Sequence, residues 1–407
     1  MTEYLVNAHP ALAGTLRKVA LANLPTPVGT GTIPTAAGRR DVIIKYDNLT
    51  SSYYGGNKLR KLEYLLQRAI DKRAKRVATF GSVASNHALA TALYAQRLDL
   101  DCTCLLSHQV KSPAAMKVLK LLVQCSAEIV PYRGDYRSRI ETMRQHVQGR
   151  RSWVIPLGGS SWLGTVGYIA AGLEFASQVS AGEIHAPTRI YIATGTMGTA
   201  GGLALGLALA GLQSEVHAVR VSPEAIMNRK RLDHLMAKTA VMLNRLDASI
   251  PADLHRRTAI VVRHEFFGDG YARSTPATEA AIDLARDALG LDLESTYTGK
   301  AMAALVHDAG RTEHRDASLM FWNTYNSNPL PLPPSTDVDV EQLPAEFLRY
   351  FDSSPSAGSA SCSRRFRSSS ASRASRCLRA ISSSITSSQS FTNPFPLAPA
   401  ARLPLRR

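Results

Sequence analysis

Two hydrophobic periods take turns along this chain. In KLRKLEYLLQRAIDKRAKR (58–76), Leu59, Leu62, Leu65, Leu66, Ala69 and Ile70 recur at helical spacing. On either side, DVIIKYD (41–47) and VATFG (77–81) are short apolar runs that predict strands. The alternation continues with a helix over NHALATALYAQRL, a strand at CTCLLS, a helix over PAAMKVLKLLVQC and a strand at AEIVPY. It resumes at TRIYIAT (188–194), followed by a glycine-rich loop, a small-residue helix, a strand at VHAVRVS and a helical segment within 223–246. AIVVRHEF and SLMFWN read as later strands. Strands separated by helices predict an α/β fold of two open, twisted, mainly parallel sheets covered by helices. The expected division is a large domain of 1–57 and 170–352 and a small domain of 58–169, with the first stretch of chain joining the large domain's sheet.

This patterning stops after Tyr350. Ser353 to Arg407 is rich in Ser, Arg and Ala, contains nine Arg, no Lys and no acid, and is expected to be disordered. It accounts for much of the net charge of +16; without it the balance is +7, ordinary for an enzyme that handles anionic ligands. A nucleic-acid-binding arm is one reading of this tail and a non-functional extension, such as a shifted reading frame would produce, is the other. The five cysteines include no CxxC pair, and no HExxH occurs, so no metal site is expected; Cys102 and Cys104 should share one face of a strand as reduced thiols. The N-terminal residues lack the apolar core of a signal peptide, and the most apolar run, 202–212, is too short to span a bilayer. A cytoplasmic protein without a membrane partner is therefore expected.

Five stretches could carry chemistry. In GGNKLRKLE, Gly55 and Gly56 allow a tight turn, Asn57 suits a helix cap, and Lys58 falls in the first helical turn beside Arg60 and Lys61. The helix dipole and like charges should lower the Lys58 pKa from about 10.4, giving a nucleophilic amine. A solvated basic helix face remains open on spacing alone. In GSVASNH, Ser85, Asn86 and His87 arrive at a helix start, where either anion binding or simple capping would use them. TGTMGTAGG (194–202) joins strand, glycine-rich loop and helix, which suits a phosphate, although it has neither a Walker lysine nor the GxGxxG spacing; close helix–sheet packing is the alternative. Tyr297 and Thr298 precede a helix, and Thr324 follows a strand, as ordinary turn residues also do.

GGNKLRKLEYLL, GSVASNH, IPLGGSSWLGTVGY, TGTMGTAGGL, FGDGYARSTPATEAAIDLAR and YTGKAM together resemble the family of D-cysteine desulfhydrase and 1-aminocyclopropane-1-carboxylate deaminase, from about Leu24 to Asn328. These are pyridoxal-phosphate enzymes of the tryptophan-synthase-β type, fold type II. The resemblance implies that Lys58 bonds the cofactor, pyridoxal 5'-phosphate, and later shuttles the Cα proton. It implies that Asn86 holds the ring hydroxyl and that Gly195, Thr196, Met197, Gly198 and Thr199, with Lys61 nearby, hold the phosphate. Ser85, Asn86, His87 and Ser160 are implied for the substrate, Ser85, Tyr271 and Tyr297 for catalysis, Tyr297 against the pyridine ring and Thr324 at its nitrogen. A homodimer acting on a small amino acid is likewise implied, and a nucleic-acid partner is not.

The sequence departs from the family pattern at Ala84, where Gln is usual, at Ala272, at Asn323-Thr324-Tyr325-Asn326, and at Tyr53 and Tyr54, which could narrow the pocket. The ring-opening deaminase carries Glu where this chain has Thr298. Neutral hydroxyls at Thr298 and Thr324 favour β-elimination: D-cysteine to pyruvate, ammonia and sulfide. Ring opening of 1-aminocyclopropane-1-carboxylate and sulfo-lysis of L-cysteate are the alternatives within the family. A non-catalytic nucleic-acid-binding protein is the alternative outside it.

Overall fold

The computed structural model describes residues 4–149, 151–326 and 338–352. The Ser/Arg-rich stretch from Ser353, with Cys362 and Cys377, lies outside them. Among the described residues ten strands form two sheets: β1 (Val28–Thr35), β2 (Gly38–Lys45), β3 (Arg76–Ser82), β4 (Asp101–Ser107), β5 (Glu128–Pro131), β6 (Ser152–Ile155), β7 (Arg189–Thr194), β8 (Glu215–Arg220), β9 (Ile260–Arg263) and β10 (Leu319–Trp322). The helices are α1 (Tyr4–Ala8), α2 (Asn57–Asp71), α3 (Asn86–Gln96), α4 (Pro113–Gln124), α5 (Tyr136–His146), α6 (Trp162–Ser180), α7 (Gly198–Leu209), α8 (Arg229–Leu246), α9 (Pro276–Leu289), α10 (Thr298–Ala309) and α11 (Ala345–Leu348).

One sheet has six strands in the order β1-β2-β10-β7-β8-β9, the other four in the order β5-β4-β3-β6. All pairings are parallel except the β1–β2 hairpin, whose register runs from Val28 opposite Lys45 to Thr35 opposite Gly38. The first stretch of chain thus joins the larger sheet. Among the described residues, no helix is long and apolar enough to cross a membrane, and no group of His, Cys, Asp or Glu could hold a metal ion. Cys102 and Cys104 are buried with their sulfurs 3.7 Å apart, and Cys125 is also a buried free thiol.

Small residues bring three helices close together behind the cleft. A Cβ on Gly167 of α6 would lie 2.1 Å from the Arg60 carbonyl oxygen of α2. A Cβ on Gly206 of α7 would lie 2.4 Å from the Ile169 carbonyl oxygen of α6. Only glycine permits such approaches. The resulting α2–α6–α7 stack sets the N-termini of α2 and α7 on one cavity, a placement that follows from the side-chain volumes along the chain.

Candidate active site

A cavity of about 590 Å³ is lined by residues that the sequence distributes over 270 positions, from Tyr54 to Asn326. Lys58, Ser85, Asn86, His87, Gly195, Thr196, Met197, Thr199, Tyr271, Tyr297 and Thr324 all line it.

Successive backbone N–H groups hold the turn before Lys58, with Gly56 N–H donating to the Asp47 carbonyl at 3.0 Å. Gly55 N–H donates to Asn326 Oδ1 at 2.7 Å, and Asn57 N–H donates to the Thr324 carbonyl at 3.1 Å. Gly56, at φ +94°, leaves no room for a Cβ, which would sit 2.8 Å from that same carbonyl. Gly56 is the cap residue of α2; Asn57 lies inside the helix and spends its side chain on Thr199, donating from Nδ2 to Oγ1 at 3.0 Å. The expected Asn57 cap is therefore replaced by a tie between the start of α2 and the start of α7.

Lys58 titrates at about 8, down from 10.5, and burial is the main cause, opposed by the Glu294 carboxylate. The direction is as the sequence suggested, but the reason differs. Arg60 contributes no crowding: its guanidinium turns the other way, to Asp47 and Glu174. Lys61 is pushed well below its usual value by burial and by Lys58, and its Nζ donates to the Gly158 carbonyl at 3.1 Å. Among the described residues no carboxylate pairs with Lys58 or Lys61, whereas the buried Lys45 and Arg60 both pair with Glu174.

Lys61, Gly198 and Ser160 stand just behind the cavity wall. Gly198 N–H donates to Ser160 Oγ at 3.1 Å, and Ser160 Oγ shares a 2.8 Å hydrogen bond with Thr196 Oγ1. A Cβ on Gly198 would lie 2.8 Å from Ser160 Oγ and 3.2 Å from Lys61 Nζ. Met197 adopts φ +69°, a costly conformation for a side-chain-bearing residue that turns the chain abruptly from β7 into α7. In this arrangement the Ser160 hydroxyl bonds the 195–199 loop and does not itself line the cavity.

On α3, Ser85 is the N-cap and accepts from Ala88 N–H, so the capping reading of that serine holds while it also lines the cavity. Tyr54 OH donates to Asn86 Oδ1 at 3.5 Å. His87 Nε2 hydrogen-bonds Thr79 Oγ1 at 3.0 Å, and its buried Nδ1 has no partner. Burial, then Lys58 and Lys61, hold its pKa well below 6.5, so the imidazole is neutral. Tyr271 and Tyr297 share a 2.5 Å hydrogen bond between hydroxyls, with Ser82 Oγ 3.3 Å from Tyr271 OH.

Three expectations about the pocket wall change. Tyr54 lines the cavity, but Tyr53 packs edge-on against Tyr94 at 5.7 Å, beneath the Arg97 guanidinium. Ala84 is partly buried, packs against the hydrophobic core and does not line the cavity. The wall near Thr298 is not charge-free. Glu294, which the sequence reading passed over, lines the cavity, and its carboxylate accepts from the N–H groups of Thr296, Tyr297 and Thr298 and from Thr298 Oγ1 at 3.2 Å. Burial raises its pKa against those hydrogen bonds. An acid shortly before a helix start, in LESTYT, was the available signal.

Comparison with known proteins agrees with this geometry. D-cysteine desulfhydrase of Salmonella choleraesuis (strain SC-B67) is 33% identical over 294 residues, 70% of this chain and 86% of that protein. A crystal structure described as an ACC deaminase homologue aligns with a TM-score of 0.64 at 28% identity, spanning 81% of this chain and 96% of the other. The hydrogen sulfide-producing enzyme from Fusobacterium nucleatum shares the fold, with a TM-score of 0.52 at 14% identity over 74% and 85% of the two chains. The family described as "Pyridoxal-phosphate dependent enzyme" matches residues 19–321, which contain nearly every residue of the cavity, and the chain belongs to that family.

Proposed function

We propose that this protein catalyses pyridoxal-phosphate-dependent β-elimination on a small amino acid, with D-cysteine as substrate and pyruvate, ammonia and sulfide as products. One observation carries the reading: an unpaired lysine of lowered pKa, Lys58, shares a cavity with the N-terminus of α7.

The residues fit the cofactor. The first turn of α7 contains no acid, and its amide dipoles, with Lys61 behind, suit a phosphate. The Tyr297 ring lines the cavity beside Gly195, with Cε1 3.6 Å from where a Gly195 Cβ would be, and can serve as a wall for a planar ring. The orphaned Nδ1 of His87 leaves a polar position for a ligand group. When bound, pyridoxal phosphate withdraws electrons from the substrate's Cα.

The chain's own groups do the rest. Lys58, neutral above about pH 8, would hold the cofactor through its amine and, once the substrate is bound, would accept the Cα proton. Ser85 and the helix α3 N-terminus orient the substrate carboxylate. The Tyr271–Tyr297 pair, both with pKa values raised by burial, keeps its protons and can donate one toward the departing sulfur. The C–S bond breaks with its electron pair on sulfur, and water then releases pyruvate and ammonia.

Glu294 supports a second reading. A carboxylate on the wall beside Thr298 weakens the argument that neutral hydroxyls disfavour ring opening, so 1-aminocyclopropane-1-carboxylate remains a competing substrate. The test is a panel of D- and L-cysteine, β-chloroalanine, L-cysteate and the cyclopropane amino acid, assayed for keto acid and for sulfide. Release of sulfide from D-cysteine as the fastest reaction supports the proposal. Faster keto-acid formation from the cyclopropane amino acid overturns it in favour of ring opening.

A further inference from the structure

Lys300, from the YTGKAM stretch, is fully buried, and like Lys58 it titrates at about 8, lowered chiefly by burial. It does not line the cavity, and the reading above gives it no task. Its Nζ donates to the Phe267 carbonyl at 2.5 Å and the Gly270 carbonyl at 3.3 Å, and lies 5.1 Å from the centre of the Phe267 ring. Those carbonyls bracket the turn that immediately precedes Tyr271. Ala272, on the far side of Tyr271, holds φ +58°, which a free turn would not favour. Lys300 itself sits in the first turn of α10, whose N-cap is Tyr297. One helix start therefore carries both Tyr297 and the cation that grips the turn bearing Tyr271.

We propose that Lys300 is the positioning residue for the tyrosine pair: it clamps the 267–270 turn to α10 so that the Tyr271 and Tyr297 hydroxyls meet. The alternative use of a buried amine, plain filling of the core, would not need two carbonyls of one turn as acceptors. One multivalent donor there ties both ends of the turn to α10, and the Gly270 carbonyl also accepts from Arg273 N–H at 3.3 Å. The mechanistic meaning of the clamp rests on the β-elimination reading; its geometry does not.

The experiment compares Lys300→Met, Lys300→Arg, Tyr271→Phe and the Lys300→Met/Tyr271→Phe double variant. Hydrogen exchange of the amides in 266–273, measured on the cofactor-free protein, should quicken by about tenfold or more in Lys300→Met, while α3 stays unchanged. The two tyrosine resonances, followed with 13Cζ-tyrosine and assigned through Tyr271→Phe and Tyr297→Phe, should both shift in Lys300→Met. Lys300→Arg should restore part of each signal. With turnover as the readout, the double variant should be no slower than the slower single variant, since both remove the same placement. Unchanged exchange and resonances in Lys300→Met, or independent multiplication of the two kinetic losses, overturns the proposal. If Lys300→Met does not fold, Lys300→Gln, which keeps two donors on a shorter stem, takes its place, and the same signals should move in the same direction by a smaller amount. Absence of β-elimination in the parent enzyme would sink the functional reading, and the exchange and resonance data would still decide the clamp.

Discussion

Arg60 and Lys58 are two residues apart on α2 and carry the same formal charge, yet they do opposite work. Arg60 is buried on the face turned toward α6 and the larger sheet. Its guanidinium donates to both oxygens of Asp47 and of Glu174 and to Thr26 Oγ1, at 2.7–3.1 Å. Lys45 Nζ, Tyr168 OH and Trp322 Nε1 complete the cluster on the same two carboxylates. Burial opposes the Arg60 charge, but Asp47 and Glu174 outweigh it and hold its pKa well above normal. Lys58 and Lys61 face the cavity side with no such partners, and burial drives their pKa values down. A cation that is matched inside the protein holds the fold, and one left unmatched awaits a ligand. Glu63, on the same helix, is an anion matched in the same way: it accepts from the N–H groups of Leu21 and Ala22 at 2.9 Å and pairs with Lys18.

Breaking each side of the comparison should produce different losses. Lys58→Ala should reduce turnover by at least about 10²–10⁴-fold while leaving the thermal transition near that of the parent, as read by keto-acid release and calorimetry. Arg60→Met should do the reverse. Leaving Asp47 and Glu174 short of a partner should cost about 3–5 kcal/mol of stability, measured by urea unfolding, with residual folded enzyme still binding cofactor. A Lys58→Ala protein that unfolds, or an Arg60→Met protein of full stability, would dissolve the distinction.

The pH dependence sharpens it further. The unmatched Lys58 has a folded-state value of about 8 against 10.5, so the unfolded chain binds more protons between those values. Its contribution to stability is least favourable below about pH 8 and improves as pH rises from 8 toward 10.5. Cofactor capture by the apoenzyme should quicken as pH rises through about 8, because the neutral amine is the nucleophile; a rate independent of pH from 6.5 to 9.5 would contradict this. Removing the helix anchor with Glu294→Ala should cost about 0.5–2 kcal/mol in a thermal melt and loosen Tyr297 and Thr298. The smallest effect belongs to the C-terminus. A chain ending at Asp352 should keep fold, cofactor and turnover. One ending at Asp339 should lose stability, because Phe347 and Tyr350 are buried and Tyr350 OH bonds both the N–H and carbonyl of Gln109.

The sequence made the alternation of elements legible because Leu59, Leu62, Leu65 and Leu66 keep helical period, and because β3, β7 and β10 are buried on both faces and read as continuous apolar runs. Strand β1, VGTGTIPT, escaped that reading: its glycines and proline weaken any strand signal, and its pairing with β2 supplies the missing preference. Helix α6 escaped too, since it is buried nearly all round and shows no amphipathic stripe. At the site, the cavity-lining residues came from motif resemblance, whereas direction could not be read from spacing. Nothing in the local sequence tells Arg60 to turn from the cavity, Tyr53 to pack on Tyr94, or Ser160 to hold the 195–199 loop. Each is decided by a partner more than thirty positions away.

The central claim, that the unmatched lysine at the start of α2 is the one that bonds the cofactor, has a direct measurement. The enzyme is loaded with pyridoxal phosphate, reduced with borohydride, digested and mapped by mass spectrometry. The account predicts a single pyridoxyl group, on Lys58. Its appearance on Lys300, the other lysine that titrates at about 8, or on Lys61 would contradict it.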